Sequence, residues 1–209
     1  MMATANTDTS LEDLVQQLDA KVKQARKSGD IAAILATAGP AIDQLEAAIA
    51  AAPDAPEDQR LAALQAAKRI AYNTGADVYP GWEAGVTRTQ AELDAGMALA
   101  RRCRDLTARL GLGGAQAGNA IWLIGAFQLA GGATADAAAA FDEAAGHFAA
   151  EPEMRLMAEG YQAIADLKTG KTGAGAALQS KLDALQAAGT EDAGFLRDQL
   201  VTARQIFAP

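Results

Sequence analysis

The chain of 209 residues is long enough to bury a substantial core, and its single cysteine, Cys103, excludes an intramolecular disulfide. A net charge of −8 disfavours a nucleic-acid partner, because phosphate binding needs a basic surface. No stretch approaches the ~20 apolar residues of a membrane span, and MMATANTDTS at the start has no secretion-signal core, so a cytoplasmic protein with no membrane partner is expected.

Alanine supplies about a quarter of the chain, β-branched residues are sparse, and no strand-length alternation occurs, so the expected class is all-α. Residues 1–8 read as a disordered tail and residues 9–209 as one helical domain. Thr9 or Ser10 can cap a first helix, whose stripe is Leu11, Leu14, Val15, Leu18 and Val22 and which stops at Ser28-Gly29. Asp30 caps a second, carrying Ile31, Ile34 and Leu35. Gly39-Pro40 is expected to break or kink it, with a new segment facing Ile42, Leu45 and Ile49 inward. Pro53-Asp54-Ala55-Pro56 is a linker. The helix after it runs from Glu57 to Tyr79, with Leu61, Leu64, Ala67 and Ile70 inward, and Pro80-Gly81 stops it.

A further helix starts at Glu83 or Thr89 and ends at Leu110, before the glycines of residues 111–114. Helices over 115–130, 134–149 and 153–168 follow, separated by Gly131-Gly132 and Glu151-Pro152. The glycine-rich turn 169–175 leads to a helix marked by Leu178, Leu182 and Leu185 and ending at Gly189. Thr190 caps the last, with Phe195, Leu196, Leu200 and Ile206 as its stripe. The result is about nine helices, joined by turns short enough to make sequence neighbours antiparallel.

Residues 120–148, AIWLIGAFQLAGGATADAAAAFDEAAGHF, resemble a tetratricopeptide repeat. Gly125 stands at the small position where the two helices of a repeat cross, Gly132 at the turn, and Ala137, Phe141 and Ala144 at the small–large–small positions of the second helix. Gln128 departs from the aromatic the family prefers there. IAYNTGADVY, residues 70–79, resembles a first helix, with Asn73 just before Gly75. Gly160, 35 residues after Gly125, can open another repeat, and ARKSGDIAAIL resembles the turn of an early one. The resemblance implies a right-handed stack of helix pairs whose first helices line a concave groove. Carried over by position, the residues facing a protein or peptide there are Arg69, Tyr72, Asn73 and Tyr79 from one repeat, Asn119 and Trp122 from the next, and Met157 and Tyr161 from a third. Ala126 stands where the family's carboxylate-gripping asparagine would be, which argues against a clamp for chain-terminal carboxylates.

Catalytic constellations are scarce. The only histidine, His147, has Glu143 one turn earlier but no second histidine or Cys-x-x-Cys, so no metal is expected. Gly170-Lys171-Thr172 lacks the upstream glycine spacing and preceding strand of a phosphate loop. Arg101, Arg102, Arg104 and Arg109 form the densest basic patch and read as a charged outer helix face. Tyr72, Tyr79, Trp82 and Trp122 are the aromatics with a choice between core and binding surface. The expected function is a non-enzymatic scaffold for a protein or peptide, with no cofactor and with self-association open. The alternative is a helical sensor with an enclosed small-molecule pocket.

Overall fold

A computed structural model describes residues 10–208, so the tail expected over residues 1–8 and its alternative cap Thr9 lie outside the described residues. Within them are nine α-helices and no strand: α1 (Leu11–Lys27), α2 (Ile31–Ala51), α3 (Glu57–Val78), α4 (Gln90–Arg109), α5 (Gly114–Ala130), α6 (Thr134–His147), α7 (Pro152–Lys168), α8 (Ala174–Ala188) and α9 (Glu191–Phe207). A short 3₁₀ turn, Pro80–Trp82, follows α3. The caps explain several boundaries. The Ser10 hydroxyl accepts from the Asp13 N–H at 3.1 Å, and Asp30 does the same work for α2. Thr89 and Glu92 form a reciprocal capping box that starts α4. Gly189, at φ 70°, ends α8 in a conformation that favours glycine, and Thr190 then caps α9.

Two expectations give way here. Pro40 lies inside α2 and does not break it. It forfeits one backbone hydrogen bond, but Ala38, Ala41, Ile42 and Leu45 are buried on either side, and that burial holds the helix through the gap. Leu61 is 40% exposed, whereas Ala63, Ala66, Ala67, Ile70 and Ala71 form the inner face of α3. By helical phase Leu61 falls on the side of α3 opposite that alanine-rich stripe, so it faces outward.

Consecutive helices pack on one another along the chain, and contacts between α1 and α3 and between α7 and α9 tie successive pairs together. This packing of helix pairs is consistent with a solenoid-like stack. Glycine permits close approach at several crossings. A Cβ at Gly125 would meet the Phe141 ring at 2.9 Å, and one at Gly160 would meet Leu200 of α9 at 2.5 Å. The buried side chains form two clusters. One draws mainly on α1–α4, the other on α5–α9, and Leu35 and Tyr72 pack against both.

Candidate functional site

The odd-numbered helices α3, α5, α7 and α9 each send side chains to one cavity of about 380 Å³. Tyr72 comes from α3, Asn119 and Trp122 from α5, Met154 and Met157 from α7, and Phe195, Leu196 and Gln199 from α9. Trp82 of the 3₁₀ turn completes the wall. The cavity is open at Trp82, 37% exposed, and at Phe195, 66% exposed, two of the three large apolar side chains exposed among the described residues.

The turn that carries Trp82 is tightly held. A Cβ at Gly81 would run into the Tyr79 ring, so glycine is required for the chain to double back there. The Trp82 indole N–H donates to the Ala76 carbonyl at 2.6 Å. Arg88 reaches back from the following loop and donates to the Val78 carbonyl at 2.9 Å, satisfying an acceptor at the end of α3. Under the cavity, Trp82 stacks on Trp122 at 5.7 Å between centroids, Trp122 meets Tyr161 edge-on at 5.2 Å, and Tyr79 stacks on Phe207 at 6.1 Å. The cavity floor is thus a preorganised aromatic cluster.

Of the eight residues placed on the groove by sequence, Tyr72, Asn119, Trp122 and Met157 line this cavity. Tyr79 and Tyr161, 1% and 0% exposed, belong to the core beneath it. The end of α9 covers Tyr79 through Phe207, while Trp122 and Phe141 flank Tyr161. Their hydroxyls lie close enough to influence one another's ionisation; by geometry, neither these oxygens nor the buried Trp122 Nε1 has a well-formed hydrogen bond among the described residues. Arg69 is engaged elsewhere, pairing with Asp19 of α1 at 2.9 Å. Asn73 is half-buried and is not among the residues that line this cavity.

Phe195 is the main residue that the sequence reading misplaced, in the buried stripe of the last helix. The buried residues of α9 are Ala193, Leu196, Leu200, Ala203 and Phe207. From Leu196 onward they are spaced four, three and four apart, and Phe195 falls a helical step outside that stripe. The strict spacing was the available signal. Met154 and Gln199 carried no such signal, because only the packing of α9 against α7 brings them to the cavity.

The basic patch of α4 is largely consumed within the fold. Arg102 pairs with Asp43 and Glu46 of α2, and Arg109 pairs with Glu46 as well. Burial pushes the Glu46 carboxyl up, but hydrogen bonds and charge from Arg102 and Arg109 outweigh it and hold that carboxyl below its ordinary range. Cys103 is buried, its thiol pushed up mainly by burial, so it has none of the character of a reactive thiolate. No group of three or more His, Cys, Asp or Glu positioned to hold a metal occurs among the described residues, and no described helix is long and apolar enough to cross a membrane. Comparison with protein-family models, with curated proteins and with solved structures finds no match to this chain.

Proposed function

We propose that the protein is a non-enzymatic binding module that holds a peptide segment of a partner, in the manner of tetratricopeptide-type arrays, with the cavity between α3, α5, α7 and α9 as its site. One observation carries the reading: the odd-numbered helices converge on a single apolar cavity whose mouth is flanked by two exposed aromatics. Aromatic and methionine surfaces suit peptide recognition, since a few buried anchors supply most of the binding energy. The lining holds no carboxylate, histidine, lysine or cysteine, which leaves little material for acid–base or nucleophilic work. The open mouth favours an extended segment over a small molecule sealed in an enclosed pocket.

The test is selection from a displayed random-peptide library, with Phe195→Ala as the counter-target. Phe195 is exposed, so its truncation should leave stability within about 0.5 kcal/mol of wild type. Trp122→Ala, by contrast, should cost ~3–5 kcal/mol as a buried aromatic and would confuse folding with binding. Selected peptides should share an apolar anchor and bind the Phe195→Ala protein roughly tenfold or more weakly, as expected for an interface hot spot. Failure to enrich any sequence, or enrichment of peptides that bind both proteins equally, overturns the proposal.

A further inference from the structure

Beside the aromatic cavity lies a second of about 530 Å³, and the two share Met154, Phe195 and Leu196. They form one groove with two chemically different ends. The first end is aromatic and uncharged. The second is lined by Glu151 and Glu153 at the start of α7 and by Asp192 at the start of α9, and no lysine or arginine lines either cavity.

This end differs from the helix contacts that carry ion pairs. At three other helix contacts, α1 with α3, α2 with α4 and α7 with α8, a carboxylate meets a basic side chain from another helix. Arg69 answers Asp19, Arg26 answers Asp77, Arg102 and Arg109 answer Glu46, and Lys181 answers Glu159. At the mouth between α7 and α9, three carboxylates gather with no ion-pair partner among the described residues, and Glu153 accepts only the Thr190 hydroxyl at 2.7 Å. Helix dipoles favour an acidic residue in the first turn of each helix. They do not require the two helix starts to face one cavity that also carries the most exposed large apolar side chain, Phe195.

We infer that the partner segment is basic and amphipathic: an apolar anchor seated between Trp82 and Phe195, followed by lysine or arginine side chains that reach Glu151, Glu153 and Asp192. Charge complementarity selects this occupant over the alternatives. An acidic segment would be repelled at one end of the groove, and a neutral one would leave that end unused. A second copy of this chain carries a net charge of −8 and would approach against long-range repulsion. The inference rests on the peptide-binding reading of the aromatic cavity and adds the chemistry of the partner.

The test uses two labelled synthetic peptides with the same apolar residues at the same positions, one with lysines and one with glutamates at the polar positions. Fluorescence anisotropy should show the lysine peptide binding at least roughly tenfold more tightly, and its affinity should fall between ~0.05 and ~0.3 M salt. Glu151→Gln combined with Asp192→Asn should weaken it several-fold. Neutralising the exposed pair Glu57 and Asp58 at the start of α3, as Glu57→Gln with Asp58→Asn, should not. Equal binding of the two peptides, or equal losses in both double variants, overturns the basic partner. So does self-association of the protein that Phe195→Ala abolishes, since a second copy would then fill the groove. If the basic preference fails while library-selected apolar peptides still depend on Phe195, the cavity stands as a peptide site without a charge rule. If Phe195→Ala leaves the lysine peptide's affinity unchanged, the cavity itself is not the site.

Discussion

Burial raises the phenol pKa of all three tyrosines of the chain. Burial pushes the Tyr72 phenol up to about 12, with the neighbouring Cys103 adding to the shift. Burial, and next the proximity of Tyr161, holds Tyr79 well above the ordinary value of 10.0, and burial likewise raises Tyr161. Each folded-state value lies above its unfolded one. The stability these neutral phenols contribute is therefore complete below pH 10.0 and is lost as pH rises toward the folded values. Tyrosinate absorbance should stay flat in the native protein to ~pH 11 and then rise together with the loss of helical circular dichroism. Titration near pH 10 with the helices intact would show that these rings meet water and that the aromatic floor is not closed. At this scale the sequence was informative about candidates and silent about depth. Helical spacing puts Met157 and Tyr161 on one face of α7, but only the covering neighbours decide that Met157 borders the cavity while Tyr161 lies beneath it.

Helices are where the sequence spoke most clearly, because their stop and start signals are local. Thr89, Thr190, Gly189 and Pro80 act through hydrogen bonds and backbone dihedrals of their immediate neighbours, and the boundaries fall where those residues put them. Pro40 is the instructive exception. Its local effect is to remove one donor from the helix ladder, and reading that effect alone gives a break. The burial of Ala38, Ala41, Ile42 and Leu45 against other helices is a tertiary term that no local signal reports. Pro40 is itself exposed, so alanine fits there without overpacking and restores a donor to the Ala36 carbonyl. Pro40→Ala should raise stability by ~1–2 kcal/mol, the recovered helix energy less the rigidity proline brings to the unfolded chain. Thermal and urea melts check it, and a lower melting temperature would mean that α2 needs the proline in its packed form. The misreading of Phe195 has the same origin. One helical step separates a buried leucine from an exposed phenylalanine, and hydrophobicity alone does not distinguish them.

For the whole molecule, the question is whether the two buried clusters behave as one unit. The boundary between them does not follow a linker. It runs through single helices: Leu99, Cys103 and Leu106 of α4 face the cluster of α1–α4 while Ala100 faces the other, and Ala120 and Ile121 of α5 divide the same way. Tyr72 and Leu35 touch both. In a stacked array each pair is stabilised by its neighbours, so a boundary inside a helix couples the two sides strongly, because neither cluster can unfold without uncovering the helix that completes the other. The groove depends on that coupling, since its walls come from α3 on one side and from α5, α7 and α9 on the other. Leu45→Ala opens a cavity in the first cluster and Phe141→Ala in the second, each at a fully buried position and each costing ~2–5 kcal/mol. Both variants should lower one common melting transition by roughly 2–4 °C per kcal/mol. A melt with two steps, in which Leu45→Ala moves only one and Phe141→Ala only the other, would show two independent folding units. The site would then stay assembled only while both are folded, and binding would be lost at the lower of the two transitions rather than with the whole fold.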